Sequence, residues 1–313
     1  HCSPDMGRAP VWASRLGDTA LDDINVSGME GCTKMSNIDP KTVSSFGDEW
    51  ARFDQEALGD AEHAFIFDTY FHIFPWDSLP ELAEGFDMGC GSGRWAMMVA
   101  PRVAKLACID PSPEALSVAR TKLAHFPNTV FVNAGVSDQP MPPDSQDFGY
   151  SLGVLHHIPD TAAALRDCVR MLKPGAPFLL YLYYRFDNRP FWYALVWRAS
   201  DILRRRISRM PTRMKSIVTD IIAAVVYLPL ARLALLGERL GLNVDSWLLS
   251  SYLNTSFYTM RTDSRDRFGT PLEQRFTRSE IMAMMQAAGL EDIRFSDRFP
   301  FWCAVGRKLQ PRP

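Results

Sequence analysis

The chain has 313 residues, of which 47% are hydrophobic, and a formal net charge of −2. This length and hydrophobic content suffice for one large core with an appended element, and the charge balance does not point to a nucleic-acid partner. The six cysteines form no C-x-x-C pair and no metal-ligand spacing, so we expect reduced thiols, no metal site and a cytoplasmic protein.

Residues 1–34 contain scattered Gly, Ser, Asp and Pro, without a sustained period and without an apolar run long enough for a signal peptide. We expect a disordered or loosely packed leader there. Ordered structure is predicted to begin near Asp39 and Pro40, because Asp can cap a helix and Pro suits its first turn. Residues 35–80 should then form N-terminal helices.

A glycine-rich loop follows the first predicted strand. Asp87 opens it, and Gly89, Gly91 and Gly93 let the backbone turn sharply and approach a ligand closely. Asp110 ends the next apolar run, where an acidic side chain can accept hydrogen bonds from ribose hydroxyls. A dinucleotide-binding loop would need glycine at position 94, which is Arg, so the loop fits a pyrophosphate cofactor poorly.

Two further motifs follow in order. Residues 140–160 run from Pro-Met-Pro-Pro-Asp through Leu-Gly-Val-Leu-His-His-Ile-Pro-Asp, and residues 171–176 read Met-Leu-Lys-Pro-Gly-Ala, a helix end and turn before strand five. Together with the loop, these motifs resemble the class I S-adenosylmethionine-dependent methyltransferases, in their small-molecule, type 11-like branch. The resemblance covers residues 80–184 and implies a Rossmann-like α/β fold with a seven-stranded, mostly parallel sheet, helices on both faces and a helical insertion after strand five.

The resemblance also implies S-adenosylmethionine as cofactor. Asp87 would lie nearest the ammonium of its methionine end, and Asp110 would hold the ribose. After strand three the family usually carries an Asp or Asn whose side chain binds adenine. This chain has Gly135 and Val136 at that position. The base must then be recognised by Asn133, by Ser137 or by the backbone. The candidate cofactor-binding residues are Asp87, Gly89, Cys90, Gly91, Gly93, Asp110, Pro111, Gly135, Val136, Leu152 and Gly153.

In this family a helix ahead of the glycine loop folds over the cofactor. Phe46, Trp50 and Phe53 share one face of the predicted N-terminal helix. Phe46 and Trp50 therefore form either part of a lid or ordinary packing on the sheet.

The residues after strand five are specific to this chain. Between 185 and 240 there are eleven Arg or Lys against four Asp or Glu, and residues 217–236 are apolar except for interruptions that include Asp220 and Pro229. A membrane-spanning helix is not expected, and two helices broken near Pro229 are predicted. The segment forms a closed cap with solvated arginines, a peripheral membrane contact through residues 200–240, or an oligomer interface.

The second half of this insertion mixes aromatic residues with Arg and Asp, a composition that can bind a polar or anionic substrate. Tyr258 and Arg261, one helical turn apart, are the preferred substrate-binding pair. Others nearby are Tyr252, Asp263, Arg265, Asp266 and Arg267.

A histidine pair follows the fourth strand, at the edge where parallel sheets bind ligands. His156 or His157 can act as general base, with His156 slightly preferred, although the pair also recurs in the family across different chemistries. The candidate catalytic residues are thus His156, His157, Tyr258 and Arg261.

These residues predict five segments: the leader 1–34, the helices 35–80 with a possible lid, the cofactor-binding core 81–184, the substrate cap 185–275 and the closing helix and strands 276–313. The predicted activity is methyl transfer to an O, N or C nucleophile of a small metabolite. The alternatives are a lipid-like or quinone-like substrate at a membrane surface and a noncatalytic cofactor-binding regulatory protein.

Overall fold

The computed structural model describes residues 37–52, 59–244 and 246–310, including the side chains of all of these except 48–52. Its centre is a seven-stranded sheet in the order β3-β2-β1-β4-β5-β7-β6. Strand β7 runs antiparallel to both of its neighbours, and the pairs among β1 to β5 are parallel. The strands are β1 Glu84–Met88, β2 Lys105–Asp110, β3 Thr129–Asn133, β4 Phe148–Leu152, β5 Pro177–Tyr181, β6 Leu290–Phe295 and β7 Ala304–Lys308.

Helices cover both faces of this sheet, which confirms the predicted fold class. Successive residues of β2 point to opposite faces, so Leu106 and Cys108 enter one core cluster, and Ala107 and Ile109 enter the other. The helices that flank and complete the core are α1 Pro40–Arg52, α2 Asp60–Phe71, α3 Ala96–Val99, α4 Pro113–Lys122, α5 Thr161–Met171 and α10 Arg278–Ala287.

The insertion after β5 is helical, as predicted. It forms α6 Phe191–Ile207, α7 Thr212–Ile222, α8 Leu228–Arg239 and α9 Phe257–Gly269. Helix α9 is its centre, because Met260 and Phe268 pack against Ile207 from α6 and against Tyr227 and Ala231.

The predicted break near Pro229 is wrong. Residues Thr212–Arg239 form one helical run of 28 residues, in which Ala223–Tyr227 adopt a π-helical turn directly before α8. Proline lacks an N–H and clashes with the carbonyl four residues earlier, here that of Val225 within the widened turn, so the π segment lets the helix continue. By length and composition this helix meets the criteria for a membrane span.

Candidate functional site

The carboxyl ends of β1, β2, β4 and β5 open into a cavity of about 400 Å³. Its floor comes from the loops after these strands, and its roof comes from α1 and the helical insertion. Nine of the predicted cofactor-binding residues line it: Gly89, Cys90, Gly91, Asp110, Pro111, Gly135, Val136, Leu152 and Gly153.

Three glycines give the loop its shape. Gly89, Gly91 and Gly93 have φ values of 78°, 53° and 78°, in the left-handed region that favours glycine. A Cβ on Gly89 would lie 2.4 Å from Val154, and one on Gly93 would lie 3.1 Å from Leu123. Gly93 does not line the cavity. Its lack of a side chain instead lets the loop pack closely on α4.

Asp110 joins the loop to the end of β2. Its carboxylate accepts hydrogen bonds from the N–H of Gly91 at 2.9 Å and from the N–H of Ser112 at 2.8 Å. Burial raises the pKa of Asp110 to about 6, although both N–H groups favour the charged form. Each oxygen keeps a further lone pair, so the side chain can also accept from a ligand hydroxyl.

Asp87 lies behind the loop, outside the cavity wall. It is 1% exposed, and apart from the neighbouring Tyr150 hydroxyl its carboxylate has no hydrogen-bond partner among the residues that the structure describes. Burial, reinforced by the nearby Asp110 carboxylate, raises the pKa of Asp87 well above its usual range. The Asp87 side chain is therefore not placed to contact a ligand in the cavity directly.

Two of the residues considered for adenine binding lie in the cavity wall and two do not. Gly135 and Val136 line the cavity, whereas Asn133 and Ser137 do not. The amide of Asn133 donates to the backbone carbonyl of Asp110 at 3.1 Å, and the N–H of Gly135 donates to Asp138 at 2.7 Å. Of the residues considered for adenine binding, Val136 is thus the one that offers an apolar side chain to the adenine ring.

Only one histidine of the pair reaches the cavity. His156 is fully buried outside the wall, where it stacks on Tyr183 with 3.9 Å between ring centroids, and burial lowers its pKa well below the usual value. The preference for His156 as base is therefore not supported by its position. His157 lines the cavity, and burial lowers its pKa to about 4, so it is neutral at pH 7.

His157 is held in one tautomer. Its Nδ1 lies 2.6 Å from the carbonyl oxygen of Leu272, which can only accept, so the proton sits on Nδ1 and Nε2 carries a lone pair. Nε2 lies 3.8 Å from Oδ1 of Asp266. Phe46 packs on the imidazole with its centroid 4.9 Å away.

The predicted pair Tyr258 and Arg261 does not line the cavity, which corrects the sequence-based choice. The guanidinium of Arg261 instead donates to both carboxylate oxygens of Asp220, at 3.1 and 2.9 Å. Arg261 faces α7 because that carboxylate neutralises its charge there. The same helix presents Thr262, Asp263, Asp266 and Arg267 to the cavity.

Two half-buried carboxylates of α9 therefore face the cavity. Asp263 accepts a hydrogen bond of 2.8 Å from the hydroxyl of Tyr252, and Asp266 accepts one from the hydroxyl of Tyr183. Burial raises the pKa of each to about 6. Both groups are thus mostly charged at pH 7 yet close enough to neutrality to take up a proton.

Aromatic rings from the insertion and β5, joined by one ring from α2 and one from the segment between β6 and β7, form one part of the wall. The sequence analysis missed most of them, although a run of tyrosines at the carboxyl end of a parallel strand, Tyr181 to Tyr184, was a usable signal. We call this part of the cavity the aromatic chamber; its rings belong to Tyr70, Tyr181, Tyr183, Tyr184, Phe186, Tyr193, Tyr227, Trp247, Tyr252 and Phe299.

Helix α1 contributes to the roof through Thr42, Val43 and Phe46. The Trp50 side chain and Phe53 lie outside the described part of the chain, as does the predicted leader 1–34. The lid hypothesis therefore stands on Phe46, which contacts His157 and lines the cavity.

The floor fits S-adenosylmethionine. A Cβ on Gly153 would meet nothing within 4 Å, so this glycine faces open space at the centre of the site. Backbone of Gly89 and Gly91 lines one side, Asp110 offers a carboxylate for hydroxyls, and Val136 offers an apolar contact. These groups match, in order along the cleft, the methionine, ribose and adenine parts of S-adenosylmethionine.

Comparison with known proteins agrees with this geometry. Residues 86–180 match a family model described as a methyltransferase domain. The ubiquinone biosynthesis O-methyltransferase of Sodalis glossinidius is 28% identical over 195 residues, covering 58% of this chain and 73% of that protein. The protein of the same description from Aliivibrio fischeri (strain MJ11) is 28% identical over 156 residues, covering 46% of this chain and 62% of its own length.

Solved structures were also compared. The YcgJ protein of Bacillus subtilis has a TM-score of 0.43 at 18% identity, covering 75% of this chain and 70% of that chain. A SAM-dependent methyltransferase of Methanosarcina mazei has a TM-score of 0.46 at 16% identity, covering 76% of this chain and 99% of that chain. The family model, the sheet and the cofactor cleft agree: residues 86–180 lie in a class I S-adenosylmethionine-dependent methyltransferase domain of the type 11 branch.

Proposed function

We propose that the protein transfers the methyl group of S-adenosylmethionine to an oxygen of a small aromatic acceptor. The observation that carries this proposal is the position of His157 and Asp266 in the wall of a chamber lined by aromatic rings. Aromatic walls favour a flat, apolar ligand, and a proton acceptor among them favours a hydroxyl that must lose its proton. The curated relatives named above are described as O-methyltransferases, which supports the same choice.

The cofactor supplies an electrophilic methyl group on its sulfonium. The chain must then hold the acceptor oxygen in line with that group and remove its proton, and much of the rate can come from this alignment. The proton passes to the pair formed by Nε2 of His157 and Oδ1 of Asp266, which lie 3.8 Å apart. Asp266 is the better holder near neutral pH, because its pKa is about 6 whereas that of His157 is about 4.

Removing this pair tests the proposal. Production of S-adenosylhomocysteine is measured with a panel of hydroxylated aromatics, a matched panel of amines and a panel of carbon acids. We expect turnover with the hydroxyl panel, and a decrease of about 10²-fold or more in turnover in Asp266→Asn and His157→Gln with little change in cofactor affinity. Turnover of the wild type should fall as the pH drops below about 6, where Asp266 takes up a proton.

Tyr258→Phe is the matched control, since Tyr258 lies on the same helix outside the cavity, and its turnover should match the wild type. Methylation of amines alone would contradict an oxygen acceptor. Cofactor binding without turnover in any panel would favour the noncatalytic alternative.

A second acceptor class is a lipid-like or quinone-like molecule. Two observations support it: the relatives named above are called ubiquinone biosynthesis O-methyltransferases, and ten aromatic rings line the chamber. Adding an alkyl tail to the best hydroxylated aromatic tests this. For a lipid-like acceptor the tail should lower KM, whereas an unchanged or higher KM would favour the water-soluble class.

A further inference from the structure

Two helices of the insertion expose large apolar side chains on their outer faces. On the 28-residue helix Thr212–Arg239, Ile217 is 60% exposed and Val225 is 63% exposed, and Ile221 and Leu236 are similar. On α6, the exposed residues Phe191, Leu195 and Ile202 follow one another at helical spacing. We call these seven residues and the surface around them the apolar face. Several large apolar side chains exposed on successive turns of a helix mark a site that contacts another phase or molecule.

The opposite side of the long helix is fixed to the domain by polar contacts. Nζ of Lys215 donates to the carbonyl of Gly269 at 3.1 Å, and Oγ of Ser264 donates to the carbonyl of Thr219 at 2.8 Å. A helix that crossed a bilayer would bring this buried lysine and its carbonyl partner into hydrocarbon. The helix therefore packs along the domain and does not cross a bilayer.

The charges beside the apolar face are mostly positive. On α6 and on Thr212–Arg239 six arginines are exposed, against one exposed acidic residue, Glu238. Such a belt complements the anionic headgroups of a lipid surface. It disfavours a second copy of this chain, because a two-fold contact through this face would bring the arginines of both copies together. The six arginines are Arg198, Arg205, Arg206, Arg213, Arg232 and Arg239.

The mouth of the cavity lies next to this face. Trp247 and Phe299 line the cavity and are 38% and 43% exposed, so the cavity wall reaches the surface at these two side chains. Trp247 follows α8, and its carbonyl accepts a 2.8 Å hydrogen bond from the hydroxyl of Tyr193 on α6. Tryptophan and tyrosine are the residues that favour the interface between lipid and water.

We propose that the apolar face docks on an anionic lipid bilayer, with the cavity mouth beside the lipid so that an apolar acceptor enters without crossing water. Docking stands on the surface alone, whereas the delivery of an acceptor through it rests on the proposed function. The arginines bind headgroups while the apolar side chains enter the boundary between headgroups and acyl chains.

Co-sedimentation of the full chain with vesicles tests docking. The vesicles contain either equal parts of phosphatidylglycerol and phosphatidylcholine or phosphatidylcholine alone. We expect binding to the anionic vesicles that is lost at high salt and is much weaker on the neutral ones. Ile221→Gln combined with Val225→Gln should weaken it about tenfold or more. Each of Arg232→Gln and Arg239→Gln should weaken it about fivefold.

Leu82→Gln is the matched control, because Leu82 is 77% exposed just before the amino end of β1, whereas the cavity opens at the carboxyl ends of the strands, and its binding should be unchanged. Circular dichroism and cofactor titration show that each variant is folded, and turnover of a water-soluble acceptor should not change. Absence of binding at low salt, equal binding to neutral vesicles, or a dimer that Ile221→Gln dissociates would each overturn the docking proposal. Vesicle binding without methyl transfer to any acceptor would instead count against the proposed function.

Discussion

At the scale of single residues, Asp110 connects the geometry of the loop to ligand binding. The sequence indicates an acidic residue at the end of β2, and the structure shows why an acid is needed before any ligand arrives. Its two oxygens accept the N–H groups of Gly91 and Ser112, which fixes the loop against the start of α4. The same carboxylate lines the cavity, so it holds the shape of the site and offers an acceptor within it.

Asp110→Asn should weaken S-adenosylmethionine binding by about tenfold to a hundredfold, because one oxygen becomes a donor facing backbone N–H groups and the charged acceptor is lost. Isothermal titration calorimetry measures this. Wild-type affinity should fall as the pH drops through about 6, where the carboxylate takes up a proton, and the variant should lack this dependence. Asp68→Asn, at an exposed ion pair, is the control. Equal affinity in wild type and Asp110→Asn would refute the role given to Asp110.

At the scale of elements, β1 and β4 interlock through two reciprocal pairs. Gly85 lies opposite Phe148, and Phe86 lies opposite Gly149, so each phenyl ring occupies the space above a glycine of the neighbouring strand. A Cβ on Gly85 would lie 2.3 Å from the ring of Phe148, and one on Gly149 would lie 2.4 Å from the ring of Phe86. The pairs hold together the two strands whose ends form the floor of the cofactor cleft.

Gly85→Ala should therefore lower the free energy of unfolding by about 1–3 kcal/mol or more, since the added methyl group overpacks a closed core. Urea unfolding followed by circular dichroism measures this. Gly59→Ala is the control, because a Cβ there meets nothing within 4 Å. Adding Phe148→Leu to Gly85→Ala should recover part of the loss, and an additive loss would show that the Phe148 ring is not the cause.

The sequence predicts the residues of helix α9 that could bind a ligand, but not which face of the helix meets the cavity. Arg and Asp residues recur along it at most positions between 261 and 267, so their types alone do not say which face meets the ligand. Arg261 lies on the side of α7, where Asp220 binds it, while Asp263 and Asp266 lie on the side of the cavity. A partner 41 residues away along the chain decided this, and no local pattern encodes such a partner.

At the scale of the whole molecule, Glu273 joins the insertion to the core. Its carboxylate binds Arg267 on α9, and it accepts from Nε of Arg275 at 2.7 Å. The side chain is 1% exposed. Although burial alone would raise its pKa, the two guanidinium groups lower the pKa of Glu273 to about 2.

Glu273→Gln should lower the free energy of unfolding at pH 7 by about 3 kcal/mol, because it leaves two guanidinium groups without their buried counter-ion. The native pKa lies below the ordinary value of 4.5, so the stabilisation is fully present above pH 4.5 and is lost as the pH falls toward 2. The difference in Tm between wild type and variant should thus shrink at low pH. Asp144→Asn, at an exposed pair with Lys308, should match the wild type at pH 7. A constant difference in Tm across this range would exclude the ionic cause.

The sequence by itself determined the fold and the cofactor cleft. Positive φ angles, a strand-end carboxylate and turn residues act over a few neighbouring positions, so their identities and spacing specify the loop, Asp110 and the order of strands. It also indicated a helical insertion with an excess of positive charge.

Only the tertiary structure decided which side chains meet in the chamber. His157 rather than His156, Asp266 rather than Arg261, and the tyrosines after β5 come together through contacts that span up to about a hundred residues of chain, such as the bond of His157 to Leu272. The continuity of the long helix through Pro229 also depended on packing, because its inner face is held by α9. Such distant contacts depend on the packing of the whole insertion, which no short stretch of sequence specifies.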